Sequence, residues 1–241
     1  MTVQGRLARQ VAAAVAVALI AAGCSGGGDG GGSDDGTGTS DTPREAKPAD
    51  TTGPIKDAAL AAGSVAVTRT VRPGDAGDRI TQEEIEVELT EPPSGRVLHV
   101  GEEIWTLDVV DGIGYLKDQS ERKSANRWQR LSAAETTERL EDVTLDGLLG
   151  VIDWASRITK TEKATVAGTA ATCHSLTLGP GATAGDGDGP TPQSARICVD
   201  GDRRPLELVV TADDEVTTST FTSWGLAVEA LAPPPALVDG D

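Results

Sequence analysis

Period-two alternation of apolar and polar residues dominates the chain from residue 64 onward. Residues 79–89 show it plainly, with Ile85, Val87 and Leu89 on one face and Glu84, Glu86 and Glu88 on the other. Residues 64–71 form a candidate strand before them. Glu91-Pro92-Pro93-Ser94-Gly95 is a turn, and strands follow over 96–100, 104–110 and 113–117. Gly101-Glu102 separates the first two of these, and Asp111-Gly112, a strong hairpin signal, separates the last two. Together they predict an antiparallel meander. Alternation returns over 165–178, broken at Gly168, and again over 194–199 and 206–210. A Thr-rich stretch, 216–222, predicts an exposed strand.

Three stretches depart from this period. Residues 54–63 read as a short helix, with Pro54 in the first turn, an Ala/Leu body and Gly63 as the stop. Ser132 and Glu135 have the capping-box spacing, and the helix they open has little apolar surface beyond Leu140, which predicts exposure. Thr144 can cap a third helix over 145–158. Its apolar residues cover an arc of roughly 220°, far wider than the stripe of about 100° that a surface helix needs. One sheet face can take Leu145, Leu148, Leu149 and Ile152. That leaves Val151, Trp154 and Ile158 needing a second apolar neighbour, either an apolar cavity or packed side chains. These three are the candidate cavity lining. About ten strands and two or three helices predict an α+β domain whose large antiparallel sheet must curl or close.

The N-terminal 53 residues follow neither period. Arg6 and Arg9 precede an apolar run over 11–22 that has the length of a secretory signal but is too short to span a bilayer. Leu19-Ile20-Ala21-Ala22-Gly23-Cys24 resembles the lipobox of bacterial lipoproteins. The resemblance implies cleavage before Cys24, diacylglycerol on its thiol, and a membrane-anchored protein on the extracytoplasmic face. The expected organisation is a signal peptide over 1–23, a Gly/Ser/Asp-rich tether over 24–54, a folded domain over 55–234 and a frayed tail over 235–241. Cleavage takes the net charge from −17 to −19, which argues against nucleic acid as a partner. Aromatics make up only 2% of residues, so the core is built from aliphatic side chains.

If Cys24 is acylated, Cys173 and Cys198 remain as an even pair in an exported protein. They lie on consecutive predicted strands, so hairpin pairing can set them opposite each other as a disulfide; the alternative is two buried free thiols. The two histidines, His99 and His174, fall in strands with no nucleophile elbow, zinc helix or P-loop in the chain. No catalytic residue, metal or cofactor is expected. Asp186-Gly187-Asp188-Gly189 lacks the later carboxylates of a calcium loop.

The order of these elements resembles the LolA/LppX-type lipoproteins of actinobacteria. The local marks are Val110-Asp111-Gly112-Ile113-Gly114-Tyr115-Leu116-Lys117, then Trp128-Gln129-Arg130-Leu131. Val166-Ala167-Gly168, Val199-Asp200-Gly201-Asp202 with Arg204-Pro205-Leu206, Phe221-Thr222-Ser223-Trp224-Gly225 and Ala232-Pro233 are similar to the family's later hairpins and end. The resemblance implies a curved half-barrel sheet with helices on its concave face. It also implies a non-enzymatic protein that carries a lipid or acylated lipoprotein in a hydrophobic cavity. A sensing or protein-interaction module with a filled core is the other function such a scaffold supports.

Overall fold

The computed structural model describes residues 47–73, 80–120, 126–180, 182, 191–213 and 215–239. Helix α1, Pro48–Ala62, has proline at its first position, Asp50 in its first turn, and Gly63 in the left-handed region as its C-terminal stop. It begins six residues before the expected start at Pro54. The end of the expected tether, 24–54, is therefore helical from Pro48 onward. Cys24, the expected signal peptide and the expected tether as far as residue 46 lie outside the described residues, as does the Asp186–Gly189 stretch.

Two antiparallel meanders meet in one unclosed, curved sheet of twelve strands. The first runs outward through β1 (Ser64–Pro73), β2 (Thr81–Glu88), β3 (Gly95–Val100), β4 (Ile104–Val110), β5 (Ile113–Asp118) and β6 (Trp128–Arg130). The second starts at the far edge with β7 (Ala155–Val166) and returns through β8 (Thr169–Leu178), β9 (Pro192–Val199), β10 (Pro205–Ala212) and β11 (Glu215–Trp224). Pairing of β1 with β11 joins the two halves at the centre. The Asp111-Gly112 and Ala167-Gly168 hairpin turns both place two successive residues at positive φ, the backbone that tight hairpins require.

Between the meanders lie α2 (Ala133–Leu140), a 3₁₀ turn over Glu141–Val143, α3 (Leu145–Leu149) and a second 3₁₀ turn over Gly150–Trp154. The capping box at Ser132 and Glu135 is formed, and Thr144 caps α3 through Gly147 N–H. These segments and α1 contribute Ile55, Ala59, Leu148, Leu149 and Ile152 to the core, against Val65, Val67, Ile85, Val97 and Leu107 of the sheet.

Four expectations need correction. The helix expected over 145–158 ends at Leu149, tightens into the 3₁₀ turn, and gives way to β7 at Ala155. Ile158, Thr159 and Thr161 are β-branched and suit a strand, and β8 supplies the partner with Ile158 opposite Leu176. The break at Gly168, expected within one strand over 165–178, is a full hairpin turn that separates β7 from β8. Strand β11 is central rather than exposed: Ser219 and Phe221 are buried where it packs between β1 and β10. Helix α2 is largely exposed, as expected, with buried Thr136 and Leu140 as its anchors, and Thr136 Oγ1 accepts from the Gly114 N–H of β5. The tail expected to fray over 235–241 instead makes a 3₁₀ turn at Pro235–Leu237 and a two-residue strand, β12 (Val238–Asp239). That strand pairs parallel with β6, and Arg127 holds Asp239 at 2.7 Å.

Candidate functional site

One row of polar side chains crosses the otherwise apolar concave face. Cross-strand register sets Ser219, Arg69, Glu83, His99 and Trp105 side by side on β11, β1, β2, β3 and β4. On one side of this row the next inward positions are Phe221, Val67, Ile85, Val97 and Leu107, all buried. On the other side they are Val210, Thr217, Val71 and Thr81, which line an open cavity of about 630 Å³. The row therefore divides a sealed core from a recess.

The cavity lies between that end of the sheet and the α3 segment. Leu148 and Val151 supply apolar wall from the helical side, and Leu208, Val210 and Val71 from the sheet. Asp146 and Asp153 also line it, and Lys56 of α1 reaches both, at 2.7 and 2.6 Å. Burial pushes the Lys56 ammonium down, but the two carboxylates outweigh it and hold the group above its usual range.

Arg69 is the centre of the polar row. Its Nε donates to Glu83 Oε2, and its Nη1 donates to the Asp142 carbonyl of the first 3₁₀ turn at 3.2 Å. The guanidinium thus links sheet to cover. His99 Nδ1 lies 3.0 Å from Glu83 Oε1, and its ring stacks on Trp105 at 4.8 Å between centroids. Arg139 of α2 approaches the same indole at 5.6 Å. A second recess of about 430 Å³, beside Trp105, Leu116 and Arg139, shares Arg69, Glu83 and Asp142 with the first cavity. Burial pushes the Glu83 carboxyl upward, but Arg69 and His99 outweigh it, so Glu83 titrates below the usual carboxylate range. His174, on β8, is pushed down by burial and by Lys163, and it contacts Thr161 Oγ1 at 3.1 Å. It is not among the residues lining the cavity.

The candidate lining residues separate. Val151 and Trp154 both line the cavity, Val151 half-buried and Trp154 45% exposed. Ile158 does not: it sits on β7 and packs against the main core. Cys173 and Cys198 face each other across β8 and β9 and are bonded. They belong to a separate small cluster with Ala171, Ala164, Val166 and Leu206. Their strand neighbours Ile197 and Leu176 face the main core, so the disulfide lies on the sheet face opposite the cavity. Among the described residues no group of His, Cys, Asp and Glu is arranged to hold a metal ion, and no helix is long and apolar enough to cross a membrane.

Pattern reading missed the polar row, although the chain carried its signal. Glu83 is in phase with Ile85 and Val87, and Arg69 with Val65, Val67 and Val71. A charge at an inward-facing position on two strands marks a place where opposite charges meet inside the fold.

No family model matches the chain, and no curated protein matches its sequence. Solved structures do match. LprF from Mycobacterium bovis is 15% identical with a TM-score of 0.52, over 78% of this chain and 99% of that one. The Mycobacterium tuberculosis lipoprotein LppX is 14% identical with a TM-score of 0.49, over 75% and 98%. A LolA superfamily protein from Nitrosomonas europaea is 10% identical with a TM-score of 0.33, over 79% and 96%. Identities this low speak to the fold alone, and the likeness to LprF carries it: the chain has the curved-sheet fold seen in LprF.

Proposed function

We propose that the chain is a membrane-anchored, extracytoplasmic lipoprotein without enzymatic activity, which binds a lipid in the cavity beside the polar row. Acylated Cys24 is the anchor, and the residues up to α1 are its tether. The observation that carries this reading is the cavity itself. Its volume of about 630 Å³ falls within the few hundred to one thousand Å³ of small-molecule sites. Leu148, Val151, Leu208, Val210 and Val71 offer apolar wall on both sides. Each acyl methylene buried there contributes about 0.8 kcal/mol. Trp154, half in solvent at the rim, suits the boundary between an apolar chain and water.

One observation favours the alternative, an interaction or sensing module with a filled core. On the far side of the polar row the sheet positions Phe221, Val67, Ile85, Val97 and Leu107 are all buried in the core. Mass spectrometry of an organic extract of the protein, purified from membranes of its own host, separates the two. The lipid-binding reading expects a lipid in near-stoichiometric amount. A protein that comes out empty and takes up no fluorescent lipid supports the interaction module instead.

A further inference from the structure

We propose that the cavity selects uncharged amphiphiles and rejects anionic ones; this rests on the lipid-binding reading and names the class of ligand. The described wall carries five carboxylates, Glu83, Glu141, Asp142, Asp146 and Asp153, against a single guanidinium, Arg69. An anionic headgroup needs a cation free to meet it. Arg69 is committed through two of its nitrogens: Glu83 holds its Nε, the Asp142 carbonyl holds its Nη1, and the side chain is only 16% exposed. Lys56, the cation at the α3 side of the cavity, is engaged by both Asp146 and Asp153. The imidazole of His99 is committed to Glu83 and stacked on Trp105.

A phosphate or carboxylate entering the open cavity would therefore face like charge from the exposed side chains of Glu141 and Asp142, a repulsion that low ionic strength leaves largely unscreened. A glycerol or other hydroxyl headgroup carries no such penalty. It also meets partners suited to it, because half-buried Thr81 and Thr217 set hydroxyl groups on the same wall. These donate and accept with uncharged oxygens and carry no charge to neutralise. The chemistry of the wall suits a neutral lipid such as a monoacylglycerol.

The test compares three ligands of one chain length on the purified, delipidated protein: monolauroylglycerol, laurate and dodecyl phosphate. Binding is followed by tryptophan fluorescence and by calorimetry at neutral pH and low ionic strength. The proposal expects the glyceride to bind about tenfold or more tighter than either anion, as one or two uncompensated like charges at this range imply. It also expects added salt to narrow the gap. In the double variant Glu141→Gln/Asp142→Asn the gap should shrink, because both side chains are exposed at the wall and the Arg69 contact uses the Asp142 backbone carbonyl. Equal or tighter binding of the anions, or a gap unchanged in the double variant, overturns the selectivity and leaves lipid binding standing. If none of the three binds, lipid binding itself falls and the selectivity with it.

Discussion

Arg69 and Glu83 are placed by alternation in phase with the valines and isoleucine of their own strands, and each is tolerated there because the other is opposite. Their side chains are 16% and 13% exposed, so leaving one without its partner strands a charge with little water to solvate it. Glu83→Gln is expected to cost on the order of 3 kcal/mol at neutral pH. The double variant Arg69→Met/Glu83→Gln should recover much of that loss, since it removes both charges. Urea unfolding of the parent, both single variants and the double variant gives the cycle; a double variant less stable than Glu83→Gln would contradict a paired origin. The carboxyl of Glu83 titrates below its unfolded value. Its contribution is therefore fully present above about pH 4.3, the ordinary glutamate value, and is lost as pH falls through the lower folded value. The acid limb of the parent's stability curve should be steeper below that point than the limb of Glu83→Gln. These two residues were legible in phase but not in meaning. Sequence shows that Glu83 shares a face with Ile85 and Val87; only the register of β1 against β2 shows that Arg69 answers it.

Among the elements, the ones legible in sequence are those whose signal is local. The alternation of β2, the Asp111-Gly112 turn and the Ser132/Glu135 capping box each need only a few adjacent residues, and each is present in the structure. The 145–158 stretch failed because its signal was divided. Leu145, Leu148, Leu149 and Ile152 keep helical spacing as far as the 3₁₀ turn, and Ile158 continues that spacing by coincidence while belonging to β7. Pairing with β8 decided the outcome, and β8 is a tertiary partner that local spacing cannot reveal. The β8–β9 pair carries the one covalent tie among the described residues. Cys173 and Cys198 lie 25 residues apart, and closing a loop of that length stabilises by roughly 3.5 kcal/mol on the chain-entropy model. Cys173→Ser/Cys198→Ser should lower unfolding free energy by about that amount while leaving ligand affinity unchanged, because the bond lies on the face away from the cavity. Non-reducing peptide mapping of the exported protein should recover the linked pair. Two thiols open to alkylation under native oxidising conditions would contradict it.

For the molecule as a whole, two meanders joined at β1 and β11 make a concave wall, and the helical segments between them cover only part of it. The polar row sets where the packed core stops and the open cavity begins. The anchoring proposal is tested by Cys24→Ala, which should leave the precursor uncleaved and without acyl chains; maturation at the same site with unchanged membrane retention would contradict it. Two acyl chains are what make such attachment stable. The central claim is that the cavity is a ligand site rather than an unfilled part of the core, and Val151 tests it most directly. Val151 lines the cavity and is half-buried, whereas neighbouring Ile152 is fully buried in the core. Val151→Glu should shift the thermal midpoint by only a few degrees, within the effect of about 1 kcal/mol in a domain of this size, and should lose the co-purifying lipid. Ile152→Glu, as the control, should unfold the protein. Thermal unfolding and lipid content measured on the same preparations decide the matter. A Val151→Glu protein that unfolds as Ile152→Glu does, or that stays folded and keeps its lipid, would contradict the account.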